Sequence, residues 1–156
     1  SEVERVQNPA LGAALLWTFG HSYQNSTSSN SASFLENFLV LPLCLHKPTL
    51  DIATHTNPSS GLGKFCEKLA EKREELVAVH ERALALRELT LSSIGFGVRA
   101  ELLHIDYSAS NIRSIEGKLP VLSDRISPLL KGASRFGVWF QRVDIVEVFK
   151  ALRVEP

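Results

Sequence analysis

The segment Phe38 to Thr49, FLVLPLCLHKPT, constrains this chain more than any other. Its first eight residues are apolar and broken only by Pro42, and a polar stop, His46-Lys47-Pro48-Thr49, follows at once. A run this continuous has no polar face to turn to water, so it must be covered on all sides. Its length and Pro42 leave helix and buried strand both open. Covering it requires a core, and 156 residues are enough to remove about two thirds of the unfolded surface from water. One domain over residues 1–156 is therefore expected, without disulfide staples. Cys44 and Cys66 lie in apolar or helical surroundings and in no C-x-x-C pair, which predicts reduced thiols in a cytoplasmic protein.

Helical signals dominate on either side of that run. Asn8-Pro9 is a capping residue followed by a ring pre-set for the first helical position, which predicts a helix to about His21. Leu11, Ala14, Leu15, Thr18 and Phe19 recur at three and four spacing, and Ala13, Leu16 and Trp17 widen the apolar face, so cover on more than one side is expected. Gln24 to Ser33 is Ser/Asn-rich with Ala32 its only apolar residue, which predicts a flexible surface loop outside the core. Pro48 opens a short helix that the Thr54 to Ser60 cluster ends. From Ser60 to about Leu103 helix continues, divided near Glu71 to Glu74 or at Arg87. Its stripe is Leu62, Phe65, Leu69, Leu76, Val79, Ala83 and Leu86, and then Ile94, Val98 and Leu102 beside the small Ser92, Ser93, Gly95 and Gly97.

The period then changes. LLHIDY, a polar turn at Ser108 to Asn111 and NIRSI ending at Gly117 read as a β-hairpin, placed after a helix as in the wing of a winged helix. Ser123-Asp124 is the expected cap of a long amphipathic helix whose stripe is Ile126, Leu129, Leu130, Ala133, Phe136, Gly137, Phe140 and Val143. Asp144 restarts a final helical segment, and no internal repeat is visible. The fold class expected is mainly α: a compact helical domain with a small β-hairpin, winged-helix-like.

Seventeen basic and seventeen acidic residues cancel, so no overall field draws the chain to nucleic acid or anionic lipid. Ala10 to Phe19 and Phe38 to Leu45 are short of the ~20 residues a membrane helix needs. Glu2 and Glu4 stand where a secretory signal carries Lys or Arg. Zero net charge with 44% hydrophobic residues favours association, and a standing partner is expected.

Candidate chemistry meets specific objections. NPSSGLGKF at Asn57 to Phe65 has Pro58 at the first glycine position of a phosphate loop and Phe65 where a Mg²⁺-binding hydroxyl belongs. Cys44, His46, His55 and Cys66 have zinc-binding atoms without the two-to-four spacing of compact zinc sites. His21, His46, His55, His80 and His104 flank no strained-turn serine. Glu67, Glu71, Glu74 and Glu75 alternate with Lys68, Lys72 and Arg73 as on a solvated helix face. Neither catalysis, cofactor nor metal is expected; a hydrolase using Cys44 or a serine is the rival from the enzyme class.

Two surfaces and one basic set remain as candidates. Trp139, with Arg142 and Phe149, has the composition of an interface anchor, and His46-Lys47-Pro48 is a second docking point. Arg113 and Lys118 on the hairpin, with Arg125, Lys131, Arg135 and Arg142 beyond it, are candidate phosphate contacts if the hairpin is a wing. Lastly, NPALGAALLWTFGHSYQ, LPLCLHKPT and LSDRISPLLKGASRFGVWFQRVDIVEVFKALRVEP resemble the small middle component of three-component ABC systems, including those of Lamassu-type bacterial anti-phage defence. That resemblance implies a non-catalytic, cytoplasmic adaptor in a hetero-oligomer, between an SMC/Rad50-like ABC ATPase and an effector nuclease. It implies no membrane contact, and DNA contact only through the complex. The alternative is a free-standing winged-helix transcriptional regulator.

Overall fold

In the computed structural model, residues 8–26, 30–119 and 124–156 are described. The fold is built around its first helix. Asn8 Oδ1 accepts from the Ala10 and Leu11 N–H groups at 3.0 and 3.2 Å, and α1 runs Pro9–Gln24. Leu11 to Trp17, Phe19 and Gly20 are all buried: the width of its apolar face is matched by cover from three directions. The helix outlasts the expected end at His21 because Gln24 is clamped. Its Nε2 donates to the Ser114 carbonyl at 2.7 Å and its Oε1 accepts from the Ser114 N–H at 3.1 Å.

After α1 come β1 (Ala32–Ser33), a 3₁₀ turn (Glu36–Leu39) and α2 (Val40–Cys44). The apolar run is thus helical, and Val40 to Cys44 are all buried. The Ser/Asn-rich segment is more structured than its composition suggests. Gln24 ends α1, while Ala32 is fully buried and pairs with Ile112; residues 27–29 lie outside the described residues. Ser33 and Glu36 form a reciprocal cap: the Glu36 N–H donates to Ser33 Oγ at 3.1 Å and the Ser33 N–H to Glu36 Oε1 at 3.0 Å. Burial holds the Glu36 carboxyl above its usual range.

Helices α3 (Lys47–His55), α4 (Gly61–Glu71), α5 (Arg73–Ala85) and α6 (Arg87–Arg99) follow. The breaks fall at Lys72 and Leu86, as expected. In α6 the buried side is Thr90, Ser93, Ile94 and Gly97, while Val98 is exposed. Of the predicted stripe Ile94 is in the core and Leu102 packs against it, while Val98 turns outward; the small Ser93 and Gly97 complete the buried side because α1 and Leu103 come close. A Cβ on Gly12 would overlap Ser93 Oγ.

The hairpin is β2 (Leu103–Asp106) and β3 (Asn111–Ser114), with Leu103 opposite Ser114 and Asp106 opposite Asn111. Antiparallel β1 extends it to a sheet of order β1-β3-β2. The hairpin is not a projecting wing but is fastened to α1: Trp17 Nε1 donates to the Ile115 carbonyl at 2.9 Å and Ser114 Oγ to the Trp17 carbonyl at 2.8 Å.

A 3₁₀ turn (Asp124–Ile126) leads into α7 (Ser127–Gln141), and α8 (Ile145–Leu152) ends the described elements. The expected cap at Ser123 falls outside the described residues; Ile126 precedes α7 and makes no side-chain cap. Helix α7 lies along α1, and an added Cβ on Gly137 would enter the Phe19 carbonyl oxygen. Phe19 and Phe140 meet edge to face at 5.6 Å. The architecture is mainly α with a small β element. Among the described residues no helix is long and apolar enough to cross a membrane.

Candidate functional site

The residue chosen from sequence as an interface anchor is a core residue. Trp139 is 0% exposed, packed among Phe65 at 5.6 Å and Phe136 at 5.8 Å, and its Nε1 donates to the Pro58 carbonyl at 2.9 Å. The expected stripe is buried at Leu129, Ala133, Phe136, Gly137 and Phe140, but it is wider than expected: α7 is covered by α4 as well as α1, so its apolar face takes in Trp139, while Val143 beyond its end is exposed. Phe149 is buried too. Arg142 is exposed but spends Nη1 on the same Pro58 carbonyl at 3.3 Å. Arg135 is likewise spent: its Nη1 lies 2.9–3.2 Å from the Ala53, Thr54 and Thr56 carbonyls, satisfying the open end of α3. Arg135 is thereby held in the fold, whereas Arg142 stays exposed.

What the structure does bring together is His46-Lys47-Pro48 with Arg125. They line one groove of about 810 Å³ between the starts of α3 and α7, joined by Lys131, Ser127 and Pro128. Leu45, Leu50 and Leu129 contribute apolar lining. A second groove of about 700 Å³ shares Lys47, Pro48, Asp51 and His55 and is closed by Lys64, Lys68, Glu71 and Lys72 of α4 and its end. Exposed α3 is therefore a ridge between two depressions. Around it Lys47, Lys64, Lys68, Lys72, Arg125 and Lys131 outnumber Asp51 and Glu71. Lys47 reaches Asp51 at 3.4 Å and Lys64 reaches Glu67 at 3.9 Å; both are exposed pairs that hold little energy. The N-termini of α3 and α7 border this region and neither has a side-chain cap, which adds to its positive potential.

His46 at the groove edge is held rather than free. Burial, with the Arg82 guanidinium second, keeps its imidazole below the usual pKa against the opposing pull of Glu75. The neutral ring then donates from Nε2 to Glu75 Oε2 at 3.3 Å and accepts at Nδ1 from Thr49 Oγ1 at 2.9 Å. Thr49 Oγ1 in turn accepts from Arg82 Nη2 at 3.2 Å, and Arg82 Nε donates to the Pro42 carbonyl at 3.3 Å. This chain of contacts ties α3 to α5. Lys47 and Pro48 remain exposed.

Other candidates stay apart. Arg113 and Lys118 are exposed on and after β3 and line neither groove. His80, expected on the helix surface, is half-buried and its Nδ1 accepts from the Glu155 N–H at 3.2 Å. In Asn57 to Phe65, Asn57 Oδ1 caps the Pro58–Ser60 turn at 3.0 Å. Both cysteines are free thiols, and burial pushes Cys66 up to about 12 and Cys44 higher still, so neither ionises readily into a nucleophile. Among the described residues no group of three or more His, Cys, Asp and Glu is placed to hold a metal ion.

The molecule is thus a helical module whose inward-reaching arginines hold backbone carbonyls and whose surface gathers positive charge around one ridge. The chain belongs to the Middle Component 3 family of ABC-three component (ABC-3C) systems, whose family model matches residues 1–156. Neither a curated protein nor a solved structure matches it.

Proposed function

We propose that this chain is a non-catalytic adaptor in a bacterial anti-phage complex of the Lamassu type, set between an SMC/Rad50-like ABC ATPase and an effector nuclease. The whole-chain match to an ABC-3C middle component carries this reading. Its support in the molecule is the assignment of side chains: the aromatic residues, Arg135 and the His46–Thr49–Arg82 chain are engaged in holding the fold, leaving charged surfaces for recognition. Closure of the ATPase on ATP and DNA would alter its contacts with the adaptor and release the effector, so the work comes from the partner's differential affinity for two states. The exposed ridge at Lys47-Pro48 is the first docking surface.

Co-expression with the products of neighbouring genes, followed by pull-down on a tag carried by this chain, tests the reading. A stable complex with the ATPase is expected. A chain that stays solitary among those companions, or that turns over a substrate unaided, overturns it.

A further inference from the structure

The groove between α3 and α7 has both an apolar floor and a sign. The floor is Leu45, Leu50 and Leu129, and Pro48 and Pro128 stand on its sides. Its form follows from how the two helices meet. An added Cβ on Gly132 of α7 would overlap Leu50 Cδ1 of α3, so the helices touch at the floor. Pro48 and Pro128 each lie in the first turn of their helix, where the ring fixes the backbone. Arg135 fastens the far end of α3 through its carbonyls, and His46 fastens the near end to Glu75 and Thr49. A groove held at both ends exists before anything enters it, so an occupant does not have to order it. Lys47, Arg125 and Lys131 line it against one carboxylate, Asp51, which meets Lys47 at 3.4 Å. Lys131 has no ion pair among the described residues. Across the ridge the second groove adds Lys64, Lys68 and Lys72 against Glu71, so the surplus of positive charge continues past the floor. Glu67, which Lys64 meets at 3.9 Å, and Asp124, beside Arg125 in the sequence, line neither groove.

We propose that this groove seats an acidic segment of a partner subunit, one whose apolar side chains fill the floor and whose flanking Asp or Glu meet the lysines and arginine on the rim. Charge complementarity selects the sign of the occupant, and the floor selects its kind. A nucleic acid would place phosphates on the cations but leave the leucines uncovered, and the lining has no aromatic ring on which a base could stack. A peptide supplies both an apolar anchor and carboxylates. A second copy of this chain matches less well. Its exposed Val143 and Val146 lie beside Asp144 and Glu147, but Arg142 and Lys150 flank that segment and cancel its charge. Such a pairing would also be head to tail, and would add copy after copy unless it closed into a ring. The proposal rests on the adaptor reading for the existence of a partner, and it gives the chemistry of what that partner brings to the ridge.

The test uses the full-length protein co-expressed with the products of the neighbouring genes. A photoreactive benzoylphenylalanine introduced in place of exposed Ser127, which lines the groove, is expected to cross-link to a companion subunit within a stretch where apolar residues are flanked by Asp or Glu. The variant K47E/K131E is expected to hold that companion at least about tenfold more weakly, with the difference shrinking as salt is raised. The control R113E/K118E makes an equal change of charge on and after the hairpin, outside both grooves, and should leave the complex as it was. Circular dichroism melts establish that all three altered proteins fold. A complex that forms with no cross-link from position 127, a cross-link into a basic or uncharged stretch, or co-purification untouched by K47E/K131E overturns the proposal. So does a cross-link to a second copy of this chain, or a short DNA duplex that the wild type binds in fluorescence anisotropy and K47E/K131E does not. A chain that finds no companion defeats the adaptor reading and the proposal with it, whereas a complex that persists with the groove unmarked defeats the proposal alone.

Discussion

The ridge at α3 and the exposed face of α5 and α6 belong to one chain of zero formal charge, yet basic residues outnumber acidic ones at the first, whereas Glu74, Glu81 and Glu88 share the second with Arg73 and Arg87. At the ridge, Lys47, Arg125 and Lys131 rim a concave surface with apolar lining; on α5 and α6, charges of both signs lie among exposed Val77, Leu84 and Leu91. Net charge therefore conceals the property that matters, which is where folding sends each sign. The two regions are also in mechanical contact. Glu75 of α5 holds His46 at the start of α3, and Arg82 of α5 reaches Thr49, so α5 shares the contacts that set the ridge.

The comparison assumes a shared core, and the largest expected effect tests that. Trp139→Ala should cost about 4 kcal/mol in urea unfolding and weaken both surfaces together, because a large aromatic side chain and its hydrogen bond to Pro58 leave the core. An anchor on the surface would instead leave stability unchanged. Gly137→Ala comes next, at about 3 kcal/mol, since the new methyl meets the α1 backbone, which cannot step aside. Arg135→Ala separates the regions. Removing the clamp on the α3 carbonyls should cost about 1–2 kcal/mol and loosen amide protection in α3 while α5 stays protected, measured by hydrogen exchange.

The smallest effect concerns the link between them. The folded His46 resists protonation more than the unfolded residue does. Its contribution is thus present above about pH 6.5 and lost as pH falls below it, when the unfolded chain takes up a proton first. His46→Gln should flatten the dependence of Tm on pH between about 5 and 7; an unchanged slope would mean that burial and the Arg82 guanidinium do not keep His46 neutral in the fold.

Much of the architecture was legible in residue patterns. Asn8-Pro9, the apolar width of the first helix, the divisions near Lys72 and Leu86, the hairpin and the restart at Asp144 all follow from interactions within a few residues, and they appear where expected. Asp144, for instance, accepts from the Val146 N–H at 2.8 Å. The Ser33–Glu36 cap carried a readable signature, S-x-x-E, that the serine-rich composition masked. The candidate surfaces were less accessible. Trp139 differs from a surface aromatic only in having α4 against it, and Arg135 from a surface cation only in lying beside the end of α3.

The exposed apolar residues of α5 and α6 mark the same boundary. Val77, Leu84 and Leu91 share their helices with the buried Leu76, Val79 and Ile94, and both sets are apolar at helical spacing. By itself the sequence determined which segments become helix or strand and that the Phe38 to Leu45 run must be enclosed, because those outcomes depend on local hydrogen bonding and on apolar length. Only the tertiary structure decided which of two apolar rows meets the core, which arginines are consumed by carbonyls, and which lysines from distant segments share a groove. Those outcomes depend on where other helices lie, and no spacing along a single helix encodes the position of its neighbours.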